Sequence, residues 1–229
     1  MNIFEMHTAV KLGLDKSSGL ELPAFEPEEI DYWLNEAQMQ IIKQKAFGNN
    51  FRGEGFEDSV KRIDDLTTLV VESNEITILP HPFYENVGYI PINSLNNTDE
   101  VYMFFVGATV KFVGTGTVVT ALPVKQEDIK NLIETDFNKP YIKNPFVYFY
   151  DNKIGVIYDP YKETSSIYVK FIKKPKTLVR TAPAEYQTNV CELPEQVHTE
   201  VVALTVSMLL ENIESERQQN NLFQLSKKE

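Results

Sequence analysis

Two long segments of the chain carry apolar residues at the spacing of an amphipathic helix. The first runs from Pro27 to Lys45, and its apolar positions are Ile30, Trp33, Leu34, Ala37 and Ile41. The second runs from Pro194 to Arg217, and its main apolar face consists of Val197, Val201, Leu204, Met208 and Leu209. Residues three and four apart share one side of a helix, and proline suits the first helical turn. The pattern therefore predicts two long helices.

Two shorter helices are predicted in the first 66 residues. The N-terminal one has four apolar residues at helical spacing, namely Ile3, Met6, Val10 and Leu14. The Ser17–Gly19 segment is expected to end it. Because so short a helix is marginal alone, its apolar stripe must pack on the chain's own helices or on a neighbouring subunit. The second short helix is predicted over Phe56–Leu66.

From Thr67 onward the pattern changes to alternating, aromatic-rich runs separated by Gly, Pro and Asn. The predicted strands are Leu69–Val71, Glu75–Leu79, Val101–Val106, Val110–Val113, Thr117–Leu122, Phe146–Tyr150, Lys153–Tyr158 and Ser166–Ile172. Turns between neighbouring antiparallel strands are predicted at Asn96–Asn97, Gly114–Gly116 and Asp151–Asn152. One short helix is predicted over Gln126–Glu134.

These elements predict an α+β fold. A helical bundle platform is expected to comprise residues 1–66 and 190–229, and an inserted antiparallel β-rich domain to comprise residues 67–189. The proline-containing segment Lys173–Pro194 is expected to return extended from the insertion to the platform.

Composition narrows the function classes. The chain has 229 residues and a formal net charge of −11, which disfavours a broad electrostatic grip on nucleic acid. A single cysteine, Cys191, cannot form an internal disulfide, so synthesis in a reducing cytoplasm is expected. The N-terminal segment does not have the pattern of a signal peptide, and no apolar run is long enough to cross a bilayer. We expect a soluble chain without a membrane partner.

No motif predicts a cofactor or metal site. Gly114–Gly116 lacks the third glycine and the Lys-Ser/Thr pair of a phosphate-binding loop, so a hairpin turn is expected instead. His7, His81 and His198 lie in different segments without a metal-ligand spacing. Glu195 and His198 match one half of a carboxylate-bridged metal motif but have no second copy. We expect His198 to lie on a helix surface or at an interface.

The sequence also predicts no catalytic residue. Cys191 is expected to fill a gap in the core, and no serine lies in a Gly-x-Ser-x-Gly motif. Four carboxylates lie near strand ends, where a glycosidase could place its acid and its base: Asp99, Glu100, Asp151 and Asp159. Roles in turns and in solubility explain these residues at least as well. We therefore expect a protein that is not an enzyme.

Other clusters are assigned to packing or surface roles. Trp33 is expected to anchor the core, and Leu204 and Met208 are named as packing residues. The aromatic segment Tyr141–Tyr150 is expected to fill both faces of a central strand, with an interface patch as the alternative. The one basic cluster could contact DNA backbone or an acidic neighbour: Lys170, Lys173, Lys174 and Lys176.

Three sets of residues, in the same order along most of the chain, resemble the head–tail adaptor or ring proteins of crAss-like podoviruses. They are Pro27–Ala37 with Lys61–Leu66, Asn138–Pro140 with Asn144–Pro145, and Glu192–Glu195 with His198 and Glu200. The resemblance implies a helical bundle with a β-rich insertion.

The resemblance also implies a location and partners. It implies a virion protein that forms a twelve-fold homo-oligomeric ring in the neck or tail, below the portal protein. Such a ring continues the DNA channel and contacts the portal and other tail proteins. During ejection DNA would pass through the lumen without sequence-specific binding, and the acidic balance would keep its phosphates from sticking.

Two other function classes remain open at this stage. The first is a β-sandwich module that binds carbohydrate or a receptor through its aromatic strands. It should act as a monomer with an exposed aromatic groove. The second is a hydrolase with paired carboxylates, which would require a cleft where two acids converge.

Overall fold

A computed structural model describes residues 1–18, 25–48, 60–84, 86–97, 100–113, 116–134, 145–159, 164–180 and 190–212. The fold is mixed α+β, as predicted. The chain forms two compact units: unit 1 comprises Met1–Leu69 and Pro175–Glu229, and unit 2 comprises Val70–Lys174. The chain returns to unit 1 at Pro175, earlier than the predicted residue 190. The reason is that Leu178 is buried and its backbone hydrogen-bonds Asn35 in unit 1.

Unit 1 contains four described helices: α1 (Ile3–Ser18), α2 (Pro27–Phe47), α3 (Val60–Leu66) and, after unit 2 in sequence, α5 (Glu195–Asn212). α5 packs against both α1 and α2. The predicted stripe of α1 is buried. α2 begins with a capping box between Glu26 and Glu29 and ends at Gly48, whose φ of 67° is the left-handed conformation that stops a helix.

One helix prediction needs correction. Trp33 is only half-buried, because Ile30 and Leu34 occupy the centre of the buried α2 face instead. Leu204 and Met208 are partly buried, which is compatible with the packing role predicted for them. The residues predicted for the helix ends at 56–59 and 213–217 lie outside the described residues. No helix in the described part of the chain is long and apolar enough to cross a membrane.

Unit 2 is built on one sheet. Its strands are β1 (Val70–Glu72), β2 (Ile76–Thr77), β3 (Leu79–Pro80), β4 (Val87–Pro91), β5 (Tyr102–Phe112), β6 (Val118–Pro123), β7 (Phe146–Tyr150), β8 (Lys153–Ile157) and β9 (Thr164–Lys173). Their order is β1-β9-β5-β6-β7-β8-β4-β3, with β2 beside β9.

The sheet curls around one core. Buried residues from its two halves belong to the same cluster, for example Val110 and Phe171 from β5 and β9 with Val147 and Ile154 from β7 and β8. The rings of Phe105 and Phe149 also meet edge to face across it, 5.0 Å apart. Burial of apolar surface from both halves therefore holds the curled sheet together.

One strand pair departs from the predicted antiparallel domain. β6 and β7 are parallel, with Leu122 opposite Phe146 and Pro123 opposite Val147. A parallel pair needs a crossover connection, and the predicted short helix lies within it. That segment forms a 3₁₀ turn at Gln126–Asp128 followed by α4 (Ile129–Glu134).

One predicted connection is confirmed, one is wrong, and one lies partly outside the described residues. Asp151 and Asn152, with φ of 42° and 55°, form the hairpin turn between β7 and β8. β5 and β6 on either side of the predicted Gly114–Gly116 turn pair antiparallel, but residues 114 and 115 lie outside the described residues. The Asn96–Asn97 prediction is wrong, because β4 and β5 are not neighbours in the sheet.

Two strand predictions also need correction. The predicted strands Val101–Val106 and Val110–Val113 form the single strand β5, whose register against β9 shifts near Gly107. β4 was missed, since Gly88 and Pro91 interrupt the alternation that marks a strand.

Candidate functional site

The first polar cluster of unit 1 is a buried ion-pair group between α2, α3 and α5. The Lys45 ammonium lies 2.6 Å from Asp65 and 2.8 Å from Glu200. Gln196 donates a hydrogen bond of 3.1 Å to the other Asp65 oxygen. Lys45 and Asp65 are almost fully buried. A buried charge must be paired, so this cluster fixes the three helices relative to one another.

The second polar cluster joins α1 and α2 to the segment that returns from unit 2. His7 Nε2 lies 2.7 Å from one Asp31 oxygen, and the other accepts the Arg180 backbone N–H at 2.8 Å. Asn35 accepts from the Leu178 N–H and donates to its carbonyl oxygen, both at 2.8 Å. The Asn35 amide therefore pairs with the backbone as a neighbouring strand would.

The segment before α5 forms a third cluster. His198 Nε2 donates to the Leu193 carbonyl oxygen at 2.8 Å, and only 3% of His198 is exposed. The prediction of a surface position for His198 is therefore wrong. The imidazole of His198 therefore satisfies a backbone carbonyl group of the loop that leads into α5. Cys191 is buried as predicted, and its thiol donates to Gln38 at 3.3 Å.

Many of the polar residues that resemble those of the head–tail adaptor proteins share a structural role. Asp31, Asn35, Asp65, His198 and Glu200 all form contacts that join one segment of unit 1 to another. None of these contacts places a nucleophile beside a base. In the described part of the chain, no group of three or more His, Cys, Asp and Glu residues could hold a metal ion. Asn138–Pro140 and Asn144 lie outside the described residues.

Two of the candidate glycosidase carboxylates, Asp151 and Asp159, do not converge. Asp151 and Asp159 lie beyond opposite ends of β8, a strand of roughly 17 Å. An acid and base pair needs a separation of about 5 to 10 Å. Asp151 instead pairs with Lys153, and the Glu100 carboxylate accepts from Asn97. Asp99 lies outside the described residues.

One lysine of the basic cluster is partly neutralised by a neighbouring acid. The Lys170 ammonium lies 3.8 Å from Glu72, with both side chains about half exposed. This contact weakens the attraction of Lys170 for a DNA phosphate.

A surface network on unit 2 was not predicted. Glu75 accepts hydrogen bonds from Lys111 at 2.8 Å and from Ser166 at 2.6 Å. These bonds, with a further one from Tyr168, lower the pKa of Glu75 to about 2. The network joins the segment before β2 to strands β5 and β9. Its members are far apart in sequence, so no local spacing could reveal it.

A pocket in the described residues lies on unit 2, beside the face of β7 that carries Tyr148 and Tyr150. Pairing places Tyr148, Gly155 and Tyr89 in one row across these strands. Tyr150 and Lys153 form the next row. The opposite face carries Val147 and other residues of the main core. The aromatic strand therefore fills both faces, as predicted, and one face contributes tyrosines to a pocket.

The pocket has a volume of about 630 Å³. It is lined by His81, Tyr84, Gln126, Ile129, Lys130, Tyr148 and Tyr150. The Tyr148 and Tyr150 rings stack with centroids 5.2 Å apart, and the His81 and Tyr84 rings lie 5.3 Å apart. The Gln126 amide donates to the Phe149 carbonyl oxygen, which fixes its side chain at the pocket.

Burial affects two phenols of the pocket. Burial raises the pKa of Tyr148 to about 12, and burial also raises the pKa of Tyr150. His81 Nδ1 accepts the Phe83 backbone N–H at 3.2 Å, so in the neutral ring Nε2 carries the hydrogen. The sequence had singled out Tyr148 and Tyr150 through their aromatic segment, but not Tyr84 or Gln126.

Unit 1 also has exposed apolar side chains on its helices. Phe4 and Leu12 on α1 are 47% and 54% exposed, and Tyr32 and Phe47 on α2 are 59% and 64% exposed. Phe4 and Leu12 are eight residues apart and so lie on the same side of α1. Single exposed apolar side chains are common on protein surfaces, so these four do not by themselves define a binding surface.

No family model matches this sequence, and no curated protein sequence matches it either. The arguments for function therefore rest on the residues and contacts described above.

Proposed function

We propose that this protein is a structural subunit of the head–tail connector of a podovirus-like phage, where it forms a ring below the portal protein. The observation that carries the proposal is the role of the residues behind the resemblance. Asp31, Asn35, Asp65, His198 and Glu200 hold the segments of unit 1 together. Residues with such roles are expected to recur among proteins that share a scaffold rather than a reaction.

In this proposal the helices of unit 1 form a helical platform that packs against the same helices of neighbouring subunits. The contact is heterologous and closes after about twelve copies, as the resemblance implies. Phe4, Leu12, Tyr32 and Phe47 supply apolar surface for it. The ring extends the DNA channel, and the net charge of −11 disfavours adhesion of the DNA phosphates during ejection.

The first test is the mass of the purified protein by light scattering, alone and after mixing with the portal protein from the same source. A ring-sized species in either condition is the expected result, because free subunits can require the portal as a template. A strict monomer that ignores the portal would contradict the proposal.

A second candidate is the binding module expected from the aromatic strands, and the tyrosine-lined pocket of unit 2 favours it. A binding module should bind its ligand as a monomer. The same mass measurement therefore separates the two candidates, since only the ring requires assembly.

A further inference from the structure

We propose that the pocket of unit 2 binds carbohydrate, with one pyranose ring held against its tyrosines. This names a site and a ligand class for the second candidate function and concerns unit 2 alone. The proposal therefore stands or falls separately from ring assembly.

The size of the pocket fits such a ligand. Its volume of about 630 Å³ lies within the range of about 300 to 1,000 Å³ that is usual for small-molecule sites. Aromatic surface comes from Tyr150, whose ring stacks on the buried Tyr148, and from Tyr84, whose ring is tilted against that of His81. A pyranose has one face of C–H groups, which packs well on an aromatic ring because the ring face is electron-rich.

The polar groups of the pocket fit the hydroxyl edge of a sugar. The phenols of Tyr148 and Tyr150 hydrogen-bond each other, and the pair can still donate or accept further hydrogen bonds. The Nε2–H of His81 is a donor, because Nδ1 already accepts from Phe83. The Gln126 side chain is positioned by its bond to Phe149. A hydroxyl group is both donor and acceptor, and therefore matches this mixed set.

The same features disfavour other ligands of similar size. Among the described lining residues Lys130 is the only lysine or arginine, so a nucleotide phosphate would find little compensation in a chain of net charge −11. A purely apolar ligand would offer no hydrogen bond to the Nε2–H of His81 or to the side-chain carbonyl oxygen of Gln126. A neutral sugar satisfies both constraints.

The test is saturation-transfer NMR of the full chain with a panel of soluble sugars, followed by calorimetric titration of any sugar that gives a signal. The panel consists of glucose, mannose, galactose and N-acetylglucosamine and their disaccharides. Tyr150→Ala and Tyr84→Ala remove one aromatic ring from each wall. Val113→Ala is the control, because it shortens a half-exposed apolar side chain of unit 2 that does not line the pocket.

We expect at least one sugar to bind the original protein. Its affinity for each pocket variant should be at least tenfold lower, and its affinity for the control variant should be unchanged. Thermal melting of every variant verifies that unit 2 remains folded. If a pocket variant fails to fold, Tyr150→Phe, which retains the ring and removes one hydroxyl, replaces it and should weaken binding less. Two results would overturn the proposal: no sugar of the panel binds, or the bound sugar is indifferent to both pocket substitutions.

Discussion

The ring of Tyr148 lies directly over Gly155, its partner on the neighbouring strand. A Cβ placed on Gly155 would lie 2.3 Å from Cζ of that ring, far inside van der Waals contact. The Tyr148 ring therefore leaves no space for a side chain at residue 155. The absence of a side chain on Gly155 in turn allows the Tyr148 ring to occupy its position at the pocket.

Replacing this glycine should destabilise unit 2. Gly155→Ala forces the Tyr148 ring to move, and overpacking of this kind costs about 1 to 3 kcal/mol. Urea unfolding measures the change. Gly107→Ala is a matched control, because it lies in β5 and a Cβ there would have no atom within 4 Å. It should leave the free energy of unfolding unchanged or raise it slightly. Equal losses in both variants would contradict the steric explanation.

Removing the buried cation of unit 1 should be more severe. Lys45→Met leaves Asp65 and Glu200 close together without their cation, and breaking a buried ion pair costs about 3 to 5 kcal/mol. Lys125→Met removes a lysine whose ion pair with Glu127 is about three-quarters exposed, and should cost at most about 0.5 kcal/mol. Chemical denaturation of both variants checks the contrast, which fails if Lys45→Met unfolds with the same midpoint as Lys125→Met.

The stability of unit 1 should fall as the solution is acidified below pH 6.5. Burial lowers the pKa of His7, and this outweighs the opposing effect of Asp31. The unfolded chain then takes up the proton first, so stability is complete above the ordinary histidine pKa of 6.5 and decreases below it. The pKa of His198 is lowered for the same main reason and adds to the trend.

The comparison that isolates His7 uses urea midpoints at pH 7.5 and pH 5.5. His7→Gln should lose less stability between these values than the original protein, because its side chain does not titrate. An identical loss in both proteins would show that His7 makes no contribution. Carboxylates that do not contact His7 are protonated alike in both proteins, so their contribution cancels in the difference.

The exposed apolar surface of α1 should matter for assembly under the proposed function. Leu12→Glu places a charge on a side chain that is 54% exposed, so the fold should tolerate it while the ring is weakened. Val118→Glu, at a 52% exposed position in unit 2, is the control. Light scattering with portal protein should show fewer ring-sized particles for Leu12→Glu only. A full yield of rings from that variant would exclude α1 from the contact.

Deleting Gln218–Glu229, which lie outside the described residues, should weaken attachment to the portal and leave the fold intact. A pull-down with portal protein measures attachment, and circular dichroism verifies the fold. If the truncated chain binds portal as well as the full chain does, the tail has no docking role.

Local periodicity was enough to predict most helices and strands but not their pairing. The α1 stripe and the Asp151–Asn152 turn follow from residues close in sequence, and both were predicted. The parallel pairing of β6 with β7 depends on contacts between distant segments, and so does the burial of His198. Tyr84 and Gln126 join Tyr148 at the pocket only because the sheet and its crossover bring them there. The spacing of residues along the chain does not reveal contacts between segments that are distant in sequence.

The segments of unit 1 lie on both sides of unit 2 in the sequence, and this affects the order of events during synthesis. All of unit 2 has been translated once Lys174 is added, whereas α1 and α2 must wait for α5 before their apolar stripes are covered. A chain that stops early would present those stripes to chaperones and proteases. Under the proposed function, only chains that include α5 form the helical platform that joins the ring. Truncated chains are therefore excluded from assembly.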